Sequence, residues 1–127
     1  MPGFPRVLAK ADVQQIEAVL SRTSLTATAF DVTVYEGTML FIASVGAPTA
    51  GSAQTLDLKL QHSDTSGGTY ADVTGAAWTQ FTTTAGVKVI AVDLDRVKAF
   101  VKVVATFGGT TPTYPFGVEA VGLKKYS

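Results

Sequence analysis

The sequence predicts an all-β domain of short antiparallel strands, arranged as a sandwich or a barrel. Apolar and polar residues alternate with a period of two from about residue 26 onward, as they do in strands that bury one face. Valine and threonine are abundant, and the branch at their Cβ favours a pleated backbone. Turn-forming residues interrupt the alternation at short intervals, which is typical of a chain that reverses direction many times.

Eight strands are predicted, separated by segments rich in glycine, proline and aspartate. The clearest is the run 56–60, in which three leucines alternate with an aspartate and a lysine. Glu36-Gly37 and the segment 64–68 are predicted as turns, since glycine supplies the positive φ that tight turns require. The predicted strands cover residues 26–35, 38–45, 55–63, 69–73, 78–82, 87–94, 99–107 and 115–123.

The segment 39–45 is apolar on both of its alternating faces. Met39 and Phe41 lie on one side of the predicted strand, and Leu40 and Ile42 lie on the other. A strand of this kind is covered on both sides. The second cover can come from the rest of the domain or from a neighbouring subunit, and the low charge of the chain favours the subunit.

The N-terminal part of the chain has a different pattern, which fits a short helix or an extended arm. Val13, Ile16 and Leu20 lie at helical spacing, and Asp12 with Gln15 resembles the capping box that begins many helices. An arm that orders only against a partner fits the same residues, so both interpretations stay open.

The composition points to association rather than to a charged ligand. Lys and Arg number 10 and Asp and Glu number 10, so the net charge is zero and nothing favours a nucleic acid or an anionic membrane as the partner. Charged residues make up 16% of the chain, against about 25% in typical domains. Weakly charged surfaces tend to associate, so we expect part of this surface to be buried against a partner or a second copy.

Cysteine is absent from the sequence, and no motif for targeting is evident. The lack of cysteine excludes disulfide bonds and thiolate metal sites. The chain begins with two prolines among its first five residues and has no long apolar run there, so we expect no signal peptide.

The titratable residues do not form a recognisable catalytic pattern. His62 is the single histidine, and a general base needs an orienting group, so we interpret it as structural. Asp93 and Asp95 could contact a cation such as Ca²⁺, but two carboxylates supply too few of its ligands. A strand end with local charge pairing is the favoured interpretation of this pair.

A sugar-binding site is a weaker possibility. Asp64, Ser66 and Asp72 lie near Tyr70 and Trp78 in the sequence, and an aromatic ring beside carboxylates can bind a carbohydrate. Aspartate and serine are also common in turns for backbone reasons alone, and such aromatic residues commonly pack in a core or an interface.

Three stretches, taken in order, resemble small structural proteins of tailed bacteriophages. They are residues 35–46 (YEGTMLFIASVG), residues 56–64 (LDLKLQHSD) followed by 68–73 (GTYADV), and residues 97–106 (VKAFVKVVAT) followed by 116–122 (FGVEAVG). The resemblance covers about residues 23–126, and residues 1–22 have no counterpart in it.

The resemblance implies a single-domain antiparallel β-sandwich of jelly-roll type at 23–127. The N-terminal arm or short helix indicated by the residue pattern occupies 1–22. It implies a capsid decoration (cement) protein that binds the major capsid protein on the outside of a virion assembled in the bacterial cytoplasm. A dimer or trimer is expected, with no enzymatic activity, no cofactor and no metal. A tail or head–tail junction protein and a carbohydrate-binding module for host attachment are the alternatives.

The contacts with the capsid are expected at apolar residues of the N-terminal part, of the segment 39–45 and of the aromatic set. These candidate interface residues are Val13, Ile16, Leu20, Met39, Phe41 and Trp78.

Overall fold

The structure is a computed structural model that describes residues 11–49 and 51–125. The described residues form two four-stranded antiparallel sheets that pack face to face. The strands are β1 (Ala11–Arg22), β2 (Phe30–Asp31), β3 (Tyr35–Val45), β4 (Ser52–Ser63), β5 (Ala71–Ala77), β6 (Gly86–Asp93), β7 (Phe100–Thr110) and β8 (Tyr114–Lys124). The first ten residues, where the predicted arm begins, lie outside the described residues.

The strand order is that of a jelly roll. One sheet, named sheet A, has the order β1-β8-β3-β6, and the other, named sheet B, has the order β2-β7-β4-β5. Consecutive strands therefore alternate between the two sheets except where the chain turns from β4 to β5, which gives the double Greek key of this fold. The prediction of an all-β, antiparallel β-sandwich is confirmed.

The core lies between the two sheets and follows from the alternation along each strand. In β4 the three leucines at 56, 58 and 60 point inward and are at most 2% exposed. In β3 Met39 and Phe41 point inward and are fully buried. The inward residues of both sheets belong to one apolar cluster, so the sandwich has a single core.

The predicted helix near the N-terminus is wrong, because this segment forms strand β1. Its backbone pairs with β8 from Ala11 to Arg22, with register shifts after Gln15 and after Glu17. The bulge places Ile16 and Glu17 on the buried side together, and this adjacent pair obscures the period of two. A short helix is marginal alone, whereas pairing satisfies the outer edge of β8.

Two predicted strands are much shorter in the structure. Of the segment 26–35, Phe30–Asp31 forms the short strand β2, and its last residue, Tyr35, begins β3. Of the segment 78–82, only Phe81 forms a bridge, to Leu56 on β4. Both segments cross from one sheet to the other, so their apolar residues fill the ends of the core without belonging to a long ladder.

The expected turn at Glu36-Gly37 lies inside β3. Gly37 has a φ of +75° and sits where the register between β3 and β8 shifts, between Glu36 and Leu40. The glycine therefore supplies positive φ for a bulge rather than for a chain reversal.

Candidate interaction surface

Strand β3 is central in sheet A, but only its inner face is covered by the rest of the protein. Phe41 is fully buried between the sheets, whereas Leu40 on the opposite side is 40% exposed. The interpretation that the domain itself covers both faces of this strand is therefore wrong for the described residues. Cover by another subunit stays a prediction.

The outer face of sheet A, called the apolar face below, consists of three rows of cross-strand neighbours. Strand pairing determines these rows, because residues opposite one another in a ladder share a face. The rows are Val13-Val121-Leu40-Ala91, then Gln15-Glu119-Ile42-Val89, then Gly117-Ser44-Val87 with Val19 of β1 lying over Gly117.

The aliphatic side chains of this face are open to solvent in the described structure. Val87 is 66% exposed, Val13 60%, Val19 59% and Val89 53%. Single exposed valines are ordinary on a protein surface, but a contiguous group on one sheet face is not. Such a patch is typical of a surface that another molecule covers.

A shallow trough of about 450 Å³ lies at one end of the apolar face. Val19 and Val87 stand on its two sides, and Ser44 and Gly46 lie between them. The trough forms because the residues between its two sides, Ser44 and Gly46, have a small side chain or none.

Glu119 is the only charged residue in the three rows. It is exposed on β8, directly between Gln15 of β1 and Ile42 of β3. Among residues 11–49 and 51–125 it has neither a hydrogen bond nor an ion pair. The apolar face therefore presents one carboxylate among aliphatic side chains.

The outer face of sheet B, called the polar face below, has the opposite character. Lys59 lies 3.0 Å from Oδ1 of Asp72, and Gln61 donates to the same oxygen at 2.9 Å. These contacts hold the pKa of Asp72 below its usual value, with the Gln61 hydrogen bond as the larger cause and Lys59 as the next. Polar groups here bind one another within the protein.

Strand β1 is tied to sheet A by a polar contact at its beginning. The Tyr35 hydroxyl donates to Asp12, Gln14 donates to the same carboxylate at 2.9 Å, and Lys124 lies 3.8 Å away. The Tyr35 hydrogen bond, followed by that of Gln14, lowers the pKa of Asp12. Burial, followed by the contact with Asp12, raises the pKa of Tyr35. The contact positions Val13 on the apolar face.

The candidate interface residues divide into two groups. Val13 and Leu20 are exposed on β1, so they stay predicted contact residues. The assignment of the others must be corrected, because side chains packed inside the sandwich present no surface to a partner. These four core residues are Ile16, Met39, Phe41 and Trp78.

The residues considered for chemistry have structural contacts. His62 accepts a hydrogen bond at Nδ1 from the backbone N–H of Lys98, at 3.2 Å. Asp93 accepts from the backbone N–H of Asp95 and caps the 3-10 turn at Leu94–Arg96. Within the described residues, no three His, Asp or Glu side chains lie close enough together to hold a metal ion.

The aromatic residues considered for sugar binding are occupied within the protein. Trp78 is 4% exposed, and its indole N–H lies 3.3 Å from the carbonyl of Phe41. The Lys102 ammonium lies 4.3 Å from the centre of the Tyr70 ring, and the Tyr70 hydroxyl donates to Ser66. The pair therefore offers no open aromatic platform.

Sequence reasoning missed the residues that make the apolar face continuous. Val87 and Val89 were placed in a predicted strand but were not identified as surface residues, and Glu119 was not singled out. The available signal was that 89–92 is apolar on both alternating faces, as 39–45 is. Only the pairing of β6 with β3 shows that the outward residues of both strands are neighbours.

Comparisons with known proteins identify the fold and no family. No family model and no curated protein matches the sequence. A chain in the structure of the infectious bursal disease virus Gx strain is similar over 92% of this chain and 30% of that one, with 10% identity and a TM-score of 0.51. This chain thus spans less than a third of the virus chain.

A similarity to carbohydrate-binding modules is weaker. The CBM22-1 xylan-binding domain from Paenibacillus barcinonensis Xyn10C matches over 92% of this chain and 83% of that one, with 18% identity and a TM-score of 0.48.

The described residues contain no helix long and apolar enough to span a membrane. The chain is thus a jelly-roll β-sandwich similar in fold to part of a virus protein.

Proposed function

We propose that the protein is a structural component of a tailed-phage particle that binds the outside of the capsid and stabilises contacts between major capsid subunits. The three sequence stretches that resemble phage structural proteins support the particle as its location. The apolar face supports the mode of action, and it is the observation that carries the proposal. The proposed role is structural rather than enzymatic.

The apolar face supports binding because water must otherwise cover its aliphatic side chains. Burial of apolar surface contributes roughly 25 cal/mol per Å², less the cost of ordering the two partners. The β-sandwich holds the face rigidly, so little additional ordering is required when a partner covers it. A decoration protein repeats this gain at many equivalent sites of a shell.

The polar face supports an orientation in which sheet B faces solvent. Its charged and amide groups already bind one another, as Lys59, Gln61 and Asp72 do. None of its described large aliphatic residues is as exposed as Val87 and Val89 of the apolar face, so it offers a partner less apolar area to cover. We therefore propose that sheet A faces the capsid and sheet B faces outward.

The alternative functions differ from this proposal in the location of the protein in the particle or in its ligand. A tail or head–tail junction protein could use the same apolar face, and copy number separates the two, because a decoration protein is present in far more copies than a junction ring. A carbohydrate-binding module is not favoured, since Trp78 is buried and Lys102 covers the Tyr70 ring.

The direct test is co-sedimentation of the purified protein with expanded shells assembled from the major capsid protein alone. The proposal predicts saturable binding at a simple ratio to the capsid subunits, and a comparable ratio in purified particles. Absence of binding to shells, together with only a few copies per particle, would reject the decoration role. Sedimentation of the free protein tests the predicted dimer or trimer.

A further inference from the structure

Glu119 restricts which partner can cover the apolar face. It lies in the middle row, with aliphatic residues in the rows on both sides and no partner among the described residues. A carboxylate that becomes buried without a cation or hydrogen-bond donor costs several kcal/mol. A partner that covers this face must therefore supply a cation or a hydrogen-bond donor at Glu119, and a cation also neutralises the charge.

The trough restricts the partner in a second way. Its walls, Val19 and Val87, are aliphatic, and Ser44 between them is small. A volume of about 450 Å³ leaves room for a large apolar side chain of the partner. A side chain seated there would contact aliphatic groups on two sides, and apolar residues anchored in this way often dominate binding at interfaces.

The distance between these two features follows from the strand. Ser44 lines the trough and pairs with Gly117, which is two residues from Glu119 on β8, so Ser44 and Glu119 lie in neighbouring rows of the same face. At about 3.4 Å per residue this separation is about 7 Å. The positive charge and the apolar side chain of the partner must have the same spacing.

We infer that the apolar face binds a segment of the major capsid protein that presents one large apolar side chain to the trough and one lysine or arginine to Glu119, about 7 Å apart. This inference rests on the proposed function and specifies the chemistry of its partner. An extended segment with the two side chains two residues apart satisfies the spacing.

A second copy of the chain fits this face less well. In a two-fold, face-to-face pair whose axis passes through the middle row, the two middle rows would lie against each other. Two Glu119 carboxylates would then be buried close together, and like charges at an interface are unfavourable. Charge complementarity therefore favours a different protein that carries a cation.

The test measures binding of three variants to shells of the major capsid protein at low and high salt. Glu119→Gln removes the charge but keeps the shape, and Ser44→Leu fills the trough while adding apolar area. Asp57→Asn on the polar face is the control, because Asp57 is also an exposed carboxylate on a strand. Circular dichroism and thermal unfolding confirm that each variant is folded.

We expect Glu119→Gln to weaken binding at least about tenfold at low salt and to reduce its salt dependence, as expected for loss of a close charge pair. Ser44→Leu should also weaken binding at least about tenfold, and Asp57→Asn should change it less than twofold. Ser44→Leu increases the apolar area of the face while filling the trough. Weaker binding by this variant would therefore show that a partner side chain enters the trough, rather than that binding depends on apolar area alone.

Three results overturn the inference in distinguishable ways. Binding of the wild-type protein with no effect of Glu119→Gln and Ser44→Leu removes the inference and leaves the decoration role intact. Absence of wild-type binding removes the proposed function and the inference together. A wild-type oligomer that Ser44→Leu or Val87→Lys converts to monomers shows that the face binds a second copy.

Discussion

The two sheets of this protein have similar inner faces and opposite outer faces. Both inner faces contribute aliphatic and aromatic residues to one core. Outside, sheet B carries Lys59, Gln61 and Asp72 in contact with one another, whereas sheet A carries exposed Val87 and Val89. Folding alone requires only the inner faces to be apolar, so the apolar face of sheet A indicates a requirement beyond folding.

The largest expected effect is a difference in the free energy of unfolding between substitutions on the two sides of strand β3. Phe41→Ala should lower the free energy of unfolding by about 3–5 kcal/mol, because it leaves a cavity in the core. Leu40→Ala, one residue away on the apolar face, should cost less than about 1 kcal/mol, because Leu40 is 40% exposed. Urea unfolding measures both.

Similar costs for the two substitutions would contradict the comparison. They would mean that Leu40 is packed in the isolated protein, and that the outer face of sheet A is already covered in solution.

The next effect compares the two edges of sheet A. A Cβ on Gly117 would lie 2.6 Å from Cγ2 of Val19 and 2.9 Å from the carbonyl oxygen of Glu17, so Gly117→Ala should cost about 1–3 kcal/mol. Gly86→Ala is the control on the opposite edge, where a Cβ meets nothing within 4 Å, and its thermal unfolding should match the wild type closely.

If Gly117→Ala unfolded like the wild type, β1 could not be packed as closely against β8 as the structure has it. The trough and the row that contains Val19 would then need revision.

A smaller effect concerns the polar contact that holds β1. The folded protein lowers the pKa of Asp12, so the Asp12 contribution to stability is present above the ordinary pKa of 3.8 and is lost as the pH falls through the lowered value. The stability of Asp12→Asn should therefore fall less than that of the wild type between pH 5 and pH 2.

Tyr35→Phe provides a second variant for the same contact, because the Tyr35 hydroxyl is the largest cause of the Asp12 shift. It should also reduce the pH dependence of the free energy of unfolding. An unchanged slope in both variants would show that Asp12 does not hold the edge strand.

The sequence was sufficient for the fold where the period of two is regular. The alternating leucines of β4 predict an inward face that the structure confirms. Strand β1 is hard to recognise in the sequence, because its bulge buries the adjacent Ile16 and Glu17 and so interrupts the period of two. Val13, Ile16 and Leu20 then coincide with the spacing of a helix. Local spacing cannot show a bulge, because the bulge is defined by the partner strand.

The surface was less predictable than the core for the same reason. Met39 and Phe41 were expected at an interface because they are apolar, but an apolar residue in a two-sided strand can point either way. Only the register of β3 against β6 and β8 shows that Leu40 and Ile42 are the outward residues. The direction in which these residues point depends on long-range strand pairing, which local sequence patterns do not reveal.

In the proposed orientation the apolar face, and not the polar face, binds the capsid. The most direct measurement compares the affinities of Val87→Lys and Thr106→Lys for shells of the major capsid protein. Both positions are exposed on outer strand faces, one on sheet A and one on sheet B. We predict that Val87→Lys weakens binding at least about tenfold and that Thr106→Lys leaves it within twofold; the reverse order, or equal loss from both, would contradict the account.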